Sequence, residues 1–292
     1  MDIVDENFDH AQVEGTKNGM KVRDGIFLPN GVRNLSYSKC FKLRDDDIFV
    51  SSFPKSGTTW TNELVWLITH NLDYEGSQNN LEKKIIWLDP GIPTNVIDDA
   101  DSPRLFKNHL PLQFLPDDIR TEKIKKIYVL RNPKDMLVST FHFYRKLVKD
   151  EFIGEFKDLV NLFEEGKTWY GPWWSHVDSF VELPNTFIIV YEDLIKKPFE
   201  TIKCLGEFLG KKLSDSQVQF LIECTSFKKM KEGESKFKSD AKHSNFFKSD
   251  LVFFRKGEIG DWKNYFDEEN SRKVDAVVEK KLKFKINFIY EN

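Results

Sequence analysis

Between Ser52 and Trp60 the chain reads Ser-Phe-Pro-Lys-Ser-Gly-Thr-Thr-Trp, and these residue types in this order suit a phosphate. Lys55 brings a point charge. Ser56, Thr58 and Thr59 bring hydroxyl donors, and Gly57 lets the backbone approach a ligand closely. Backbone N–H groups at a helix start attract anions as well. The order differs from a Walker A loop, where glycine comes several residues before a GK[ST] run; here lysine precedes glycine. Two readings stay open from these residues alone. One is a phosphate-binding loop of another type, the other an ordinary polar turn whose Ser and Thr cap a helix. Far downstream, Phe253-Phe254-Arg255-Lys256-Gly257-Glu258-Ile259-Gly260-Asp261-Trp262 mixes cations, glycines and rings, a mixture suited to an anionic nucleotide.

The elements that must position these groups can be read from the pattern around them. Residues 47–53 are short, β-branched and aromatic, and read as a buried strand. Residues 60–70 then show helical spacing, with Leu64, Leu67 and Ile68 on one face. A second strand over 126–130 ends at Arg131-Asn132-Pro133, ahead of a helix carrying Met136, Leu137 and Phe141. A third strand over 186–191 ends at Glu192-Asp193, and helical patterns follow near 199–209 and 214–224. A last helix covers roughly 268–282. This alternation predicts an α/β fold: a single domain with a mostly parallel central sheet flanked by helices and a P-loop-like strand–loop–helix. Ligands bind such sheets at the carboxyl ends of the strands, which would bring Lys55, Arg131 and Tyr191 to one rim. Residues 1–45, with scattered Gly, Pro and charge, read as an irregular lead-in. Residues 227–260 turn polar and aperiodic and read as a long loop that contacts a ligand.

Bulk properties narrow the class. The chain has 292 residues, enough for one large domain spanning 1–292. Its formal net charge is −3, which argues against a nucleic-acid partner. The three cysteines, Cys40, Cys204 and Cys224, are far apart with no CxxC pair, so a reducing, cytoplasmic compartment is expected. The acidic start lacks a signal-peptide pattern, and the apolar run near 187–190 is too short to span a bilayer. Phenylalanine occurs 26 times, which fits either a core or a pocket lined with rings.

Three segments resemble motifs of the cytosolic sulfotransferases. Residues 52–60 are similar to the family's TYPKSGTTW signature. Tyr128-Val129-Leu130-Arg131-Asn132-Pro133-Lys134-Asp135, with Ser139 beyond, resembles its YVxRNPKDxxVS block. Residues 255–264 resemble its RKGxxGDWKN block. The resemblance runs from about residue 45 to 292. It implies a PAPS donor (3′-phosphoadenosine 5′-phosphosulfate), the product adenosine 3′,5′-bisphosphate (PAP), no metal, and a small hydroxylated acceptor such as a phenol, steroid or other alcohol.

The resemblance also implies roles. Lys55, Ser56, Gly57, Thr58 and Thr59 hold the 5′-phosphosulfate, and Lys55 neutralises the leaving oxygen. Arg131 and Ser139 grip the 3′-phosphate, with Arg255, Lys256 and Gly257 closing over it. Trp60, Tyr191, Thr225 and Phe227 frame the adenine. Of six histidines, His109 occupies the base position, because Lys107-Asn108-His109-Leu110-Pro111 resembles the KTHLP segment. Lys107 assists at the transferring group, and Asn108 replaces the usual Thr. The implied catalytic set is thus His109, Lys55, Lys107 and Ser139. Phe143 and Tyr170 are the family-like acceptor residues. Phe27, Trp87 and Phe247 join them by position, although core packing explains these three equally well. Many members dimerise through a KxxxTVxxxE segment, but here Asp267-Glu268 replace Thr-Val and Arg272 replaces Glu. A monomer, or a dimer through another surface, is expected. Competing readings are a nucleotide kinase, which would need Mg²⁺ and a Walker-type lysine, and a non-catalytic nucleotide binder.

Overall fold

The computed structural model describes residues 8–78, 84–234 and 247–291. The first described elements are a small antiparallel sheet of β1 (Asp9–Ala11), β2 (Met20–Arg23) and β3 (Ile26–Leu28), followed by α1 (Leu35–Cys40). Residues 8–45 therefore hold strands and a helix where an irregular lead-in is expected. Asp24 and Gly25 between β2 and β3 have φ of 51° and 76°, the conformation a two-residue hairpin turn requires. Such short strands carry too little alternation to show in the sequence.

The main sheet begins with β4 (Ile48–Ser52), which runs into α2 (Thr58–Thr69). Then come α3 (Tyr74–Gln78), β5 (Ile86–Trp87), α4 (Thr94–Asp98) and β6 (Leu105–Asn108). Next are β7 (Lys125–Leu130), α5 (Pro133–Tyr144), α6 (Phe156–Glu165), α7 (Trp173–Val181) and β8 (Thr186–Val190). They are followed by α8 (Tyr191–Lys196), α9 (Pro198–Phe208), α10 (Asp215–Cys224), α11 (Phe227–Glu232) and a last helix, Glu268–Lys280. The five strands pair in the order β5–β6–β4–β7–β8, all parallel.

Every residue of β4 is buried, as a central strand covered on both faces requires. Its side chains alternate between two cores. Ile48 and Val50, with Ile127 and Val129 of β7, pack against α2, α9 and α10. Phe49, with Phe106, Tyr128 and Leu130, packs on the opposite face against α5, α6, α7 and the last helix. The segment read as one long loop opens with α11, and its residues 235–246 lie outside the described residues. Among the described residues no helix is long and apolar enough to cross a membrane.

Candidate active site

The ends of β4, β7 and β8 are neighbours at one rim, as the strand pattern predicts. Above β4 the loop turns sharply, with Lys55 at φ 66° and Gly57 at 108°, both left-handed. Gly57 is required by space: a Cβ there would lie 2.5 Å from Cδ2 of Tyr191. The strained Lys55 backbone is held from the next strand, because Arg131 Nη1 donates to its carbonyl at 3.1 Å. This is no ordinary capped turn. Among the described residues no side chain caps the first amides of α2, and the Thr58 hydroxyl bonds Ser52 Oγ at 2.5 Å.

Positive charge concentrates above this loop. The Lys55 ammonium lies over the rings of Phe143 at 3.9 Å and Phe253 at 4.8 Å. Burial first, and then Arg131, Lys107 and Arg255, push its pKa down to about 7. No carboxylate pairs with Lys55 among the described residues. Arg131 stacks on Tyr191 at 4.4 Å, and its buried Nε has no hydrogen-bond partner among the described residues. A lysine whose charge is weakened by burial and by neighbouring cations, beside a guanidinium nitrogen without a partner among the described residues, fits a multiply charged anion. A PAPS phosphosulfate and 3′-phosphate satisfy that requirement.

The third motif is docked onto the second. Asn132 caps α5 by accepting from Asp135 N at 2.8 Å. The Asp135 carboxylate in turn accepts from Gly260 N at 2.7 Å and Trp262 N at 2.9 Å. Arg255 and Lys256 both bind the Asp261 carboxylate, Arg255 at 2.5 Å. Burial alone would raise Asp261, but hydrogen bonds from Lys256, Asn264 and Arg255 hold it at about 2. Ser139 lies half-buried on α5.

Three of the four residues expected around an adenine touch one another, and the fourth, Phe227, lies against Gly257. Trp60 meets Tyr191 edge-on at 5.8 Å, and its indole donates to Thr225 Oγ1 at 3.1 Å. Phe227 starts α11 beside Gly257, where a Cβ would come within 2.3 Å of the Phe227 ring.

His109 stands just past β6, on the other side of β4. Its Nδ1 lies 2.9 Å from the Ser52 carbonyl. A carbonyl only accepts, so Nδ1 carries the proton and Nε2 keeps its lone pair. Burial, followed by Lys107 and Lys55, pushes His109 down to about 3. The ring is therefore neutral. Asn108 is fully buried and bonds Ser51 Oγ at 2.5 Å, across the paired register of β6 and β4. Its side chain ties two strands together, which accounts for an amide at that position.

The acceptor candidates gather around these groups. Tyr170 lies 5.7 Å from His109, ring to ring, and its N–H donates to the Phe27 carbonyl at 2.7 Å. The Lys107 ammonium lies over Trp87 at 4.7 Å. Phe143 meets Phe247 edge-on at 5.6 Å. Sequence reasoning missed Phe253, Asp89 and His176. Asp89 is buried and accepts from His109 N at 2.9 Å, and burial pushes its carboxyl up. In the sequence Phe253 stands only as one ring of a ring-rich segment. Nothing in the sequence marks Asp89 or His176.

The sulfotransferase domain family matches residues 45–285. The chain belongs to this family. An amine sulfotransferase of Oryctolagus cuniculus is 34% identical over 267 residues, covering 86% of each chain. Among solved structures, a retinol dehydratase in complex with androsterone and PAP superposes with a TM-score of 0.80. It is 27% identical, and the match covers 93% of this chain and 92% of the other. A mouse sulfotransferase complexed with PAP gives a TM-score of 0.72 at 30% identity, covering 89% of this chain and 94% of the other. As a sulfotransferase, the protein is an enzyme of sulfuryl transfer to small acceptors, and its family takes that group from PAPS.

Proposed function

We propose that this sulfotransferase moves the sulfuryl group of PAPS to the hydroxyl of a small phenol, steroid or other alcohol, in line, with His109 as the general base. One observation carries the reading. A neutral imidazole with a free Nε2 and a lysine among other cations stand at the ends of adjacent parallel strands. His109 Nε2 takes the acceptor proton as the new O–S bond forms. Lys55 neutralises charge on the phosphate oxygen as the old S–O bond breaks, and the loop amides and hydroxyls orient that phosphate. Lys107 stabilises the group in transfer. Arg131, Ser139 and the 255–257 segment hold the 3′-phosphate, and Trp60, Tyr191, Thr225 and Phe227 hold the base. The donor's negative charge raises both Lys55 and His109, so the charged lysine and a stronger imidazole are regained together. Phe143, Tyr170, Phe27, Trp87 and Phe247 line the acceptor side.

The whole chain acts as one domain around this site, in the cytoplasm, as its unpaired cysteines suit. It is a monomer or a dimer through a surface other than the family's. Asp267, in place of the family Thr, accepts from Asn270 N at 2.7 Å and caps the last helix.

Radiolabelled PAPS and a panel of phenols, steroids and alcohols, incubated in EDTA, test the reading. Labelled sulfate esters are expected. Phosphate transfer from ATP with strict Mg²⁺ dependence, and no sulfate transfer, would replace it with the kinase.

A further inference from the structure

His176 belongs to no motif of the donor or acceptor sites, yet it is 2% exposed and touches the base through the backbone. Its Nε2 lies 3.0 Å from the His109 carbonyl, and its Nδ1 lies 2.8 Å from Tyr128 Oη. The carbonyl only accepts, so Nε2 carries the proton and Nδ1 accepts from the tyrosine. Burial holds this ring neutral, at about 3. Phe180 stacks on it at 5.0 Å and Phe53 meets it edge-on at 5.6 Å, so the ring has one orientation.

The other end of the same residue is held as firmly. Asp89 Oδ1 accepts from His109 N at 2.9 Å. His109 is thus fixed at its N–H by Asp89, at its carbonyl by His176 and at its ring by Ser52. Three fixed points determine where Nε2 faces. Ser52, Asp89 and His176 come from three separate segments, so chain connectivity does not explain their meeting.

We propose that Asp89 and His176 are positioning residues that clamp the His109 backbone and so aim the catalytic base. This rests on His109 being the base. A base displaced by about an ångström loses on the order of 100-fold in rate with little change in binding. Loss at His176 should therefore appear in kcat with the KM of both substrates unchanged, whereas Asp89, which also bonds Tyr170 and Trp87, is read by kcat alone.

A cavity of about 190 Å³ adjoins His176 and is lined also by Tyr170, Pro111, Gln113, Ser175 and Ser179. It offers a small ring a path to the place of a deleted imidazole. His176→Ala should lower kcat roughly 10- to 100-fold while PAP affinity stays within about twofold. Added imidazole should restore much of the loss, and thiophene, equal in size but without an N–H, should not. A kcat within about threefold of native, or equal rescue by thiophene, would overturn the clamp. If the alanine variant fails to bind PAP, Asp89 decides the matter. Asp89→Asn keeps an acceptor for His109 N and should retain most of kcat, whereas Asp89→Ala should not; equal kcat in the two would overturn the clamp. His109→Ala separates the levels. Full activity there removes the base itself, whereas an inactive His109→Ala beside a fully active His176→Ala removes only the clamp.

Discussion

The two ends of β4 treat buried charge differently. Just before the strand, Asp47 meets Arg104, which precedes β6, and both side chains are fully buried. Arg104 Nε and Nη2 donate to the two Asp47 oxygens at 2.8 and 2.6 Å, and Nη2 also reaches the Lys42 carbonyl at 2.8 Å. Asp47 Oδ2 further accepts from Arg44 N at 2.7 Å. That charge is neutralised by the chain itself. Just after the strand, Lys55 has aromatic rings beneath it and three cations near it, and Arg131 Nε has no partner among the described residues. Removing one partner of a buried pair costs stability, whereas a charge the fold leaves uncompensated is available to an anionic ligand. The carboxyl end is where a PAPS-using enzyme needs positive charge.

Substitutions at each end should break different properties. The largest effect is expected at the base: His109→Ala should lower kcat by about 1,000-fold with PAP affinity retained, measured by steady-state transfer and calorimetry. At the amino end, Arg104→Met leaves Asp47 buried and unpaired, which should cost about 3–5 kcal/mol in denaturant unfolding. The kcat of the folded fraction should stay native, because Arg104 touches nothing at the rim.

Lys55→Met should abolish transfer and yet stabilise the empty protein, by about 1–2 kcal/mol after allowing for partial solvent contact. The sign follows from the lowered pKa. Lysine is charged in the unfolded chain up to its ordinary value, but in the fold only below about 7. The destabilisation is complete below that point and fades as the pH rises toward the unfolded value. The advantage of the Met variant should therefore be greatest at neutral and acidic pH and shrink in alkali. A less stable Lys55→Met protein would contradict the contrast between the ends.

The donor half was legible because each motif is contiguous and each of the first two sits on a strand end. Residues 52–60 close β4 and enter α2, and residues 131–135 follow β7, so reading the strands brought the proposed donor residues to one rim. The proposed acceptor half is assembled from distant pieces. Trp87 lies on a two-residue edge strand and Lys107 on a four-residue strand, both too short for period to reveal. Tyr170 and Phe27 meet through a backbone hydrogen bond that no spacing encodes. Asp89 and His176 were invisible because their meaning comes from burial against the His109 peptide. The β2–β3 hairpin was missed although its Asp-Gly pair is a turn signal, because the flanking strands were too short to be noticed. Asp135 stood in a motif from the start, but its task of holding Gly260 and Trp262 appears only once the segments are docked.

The most direct test is a calorimetric titration of the purified protein with PAP in EDTA, at about pH 7.5 in two buffers of different ionisation heat. If the carboxyl end of β4 is held for an anionic nucleotide, PAP binds without metal. Lys55, whose pKa the anion raises, takes up a fraction of a proton, and affinity falls as the pH rises above about 7. Absence of binding, or binding with no proton uptake and no loss of affinity in alkali, would contradict the account.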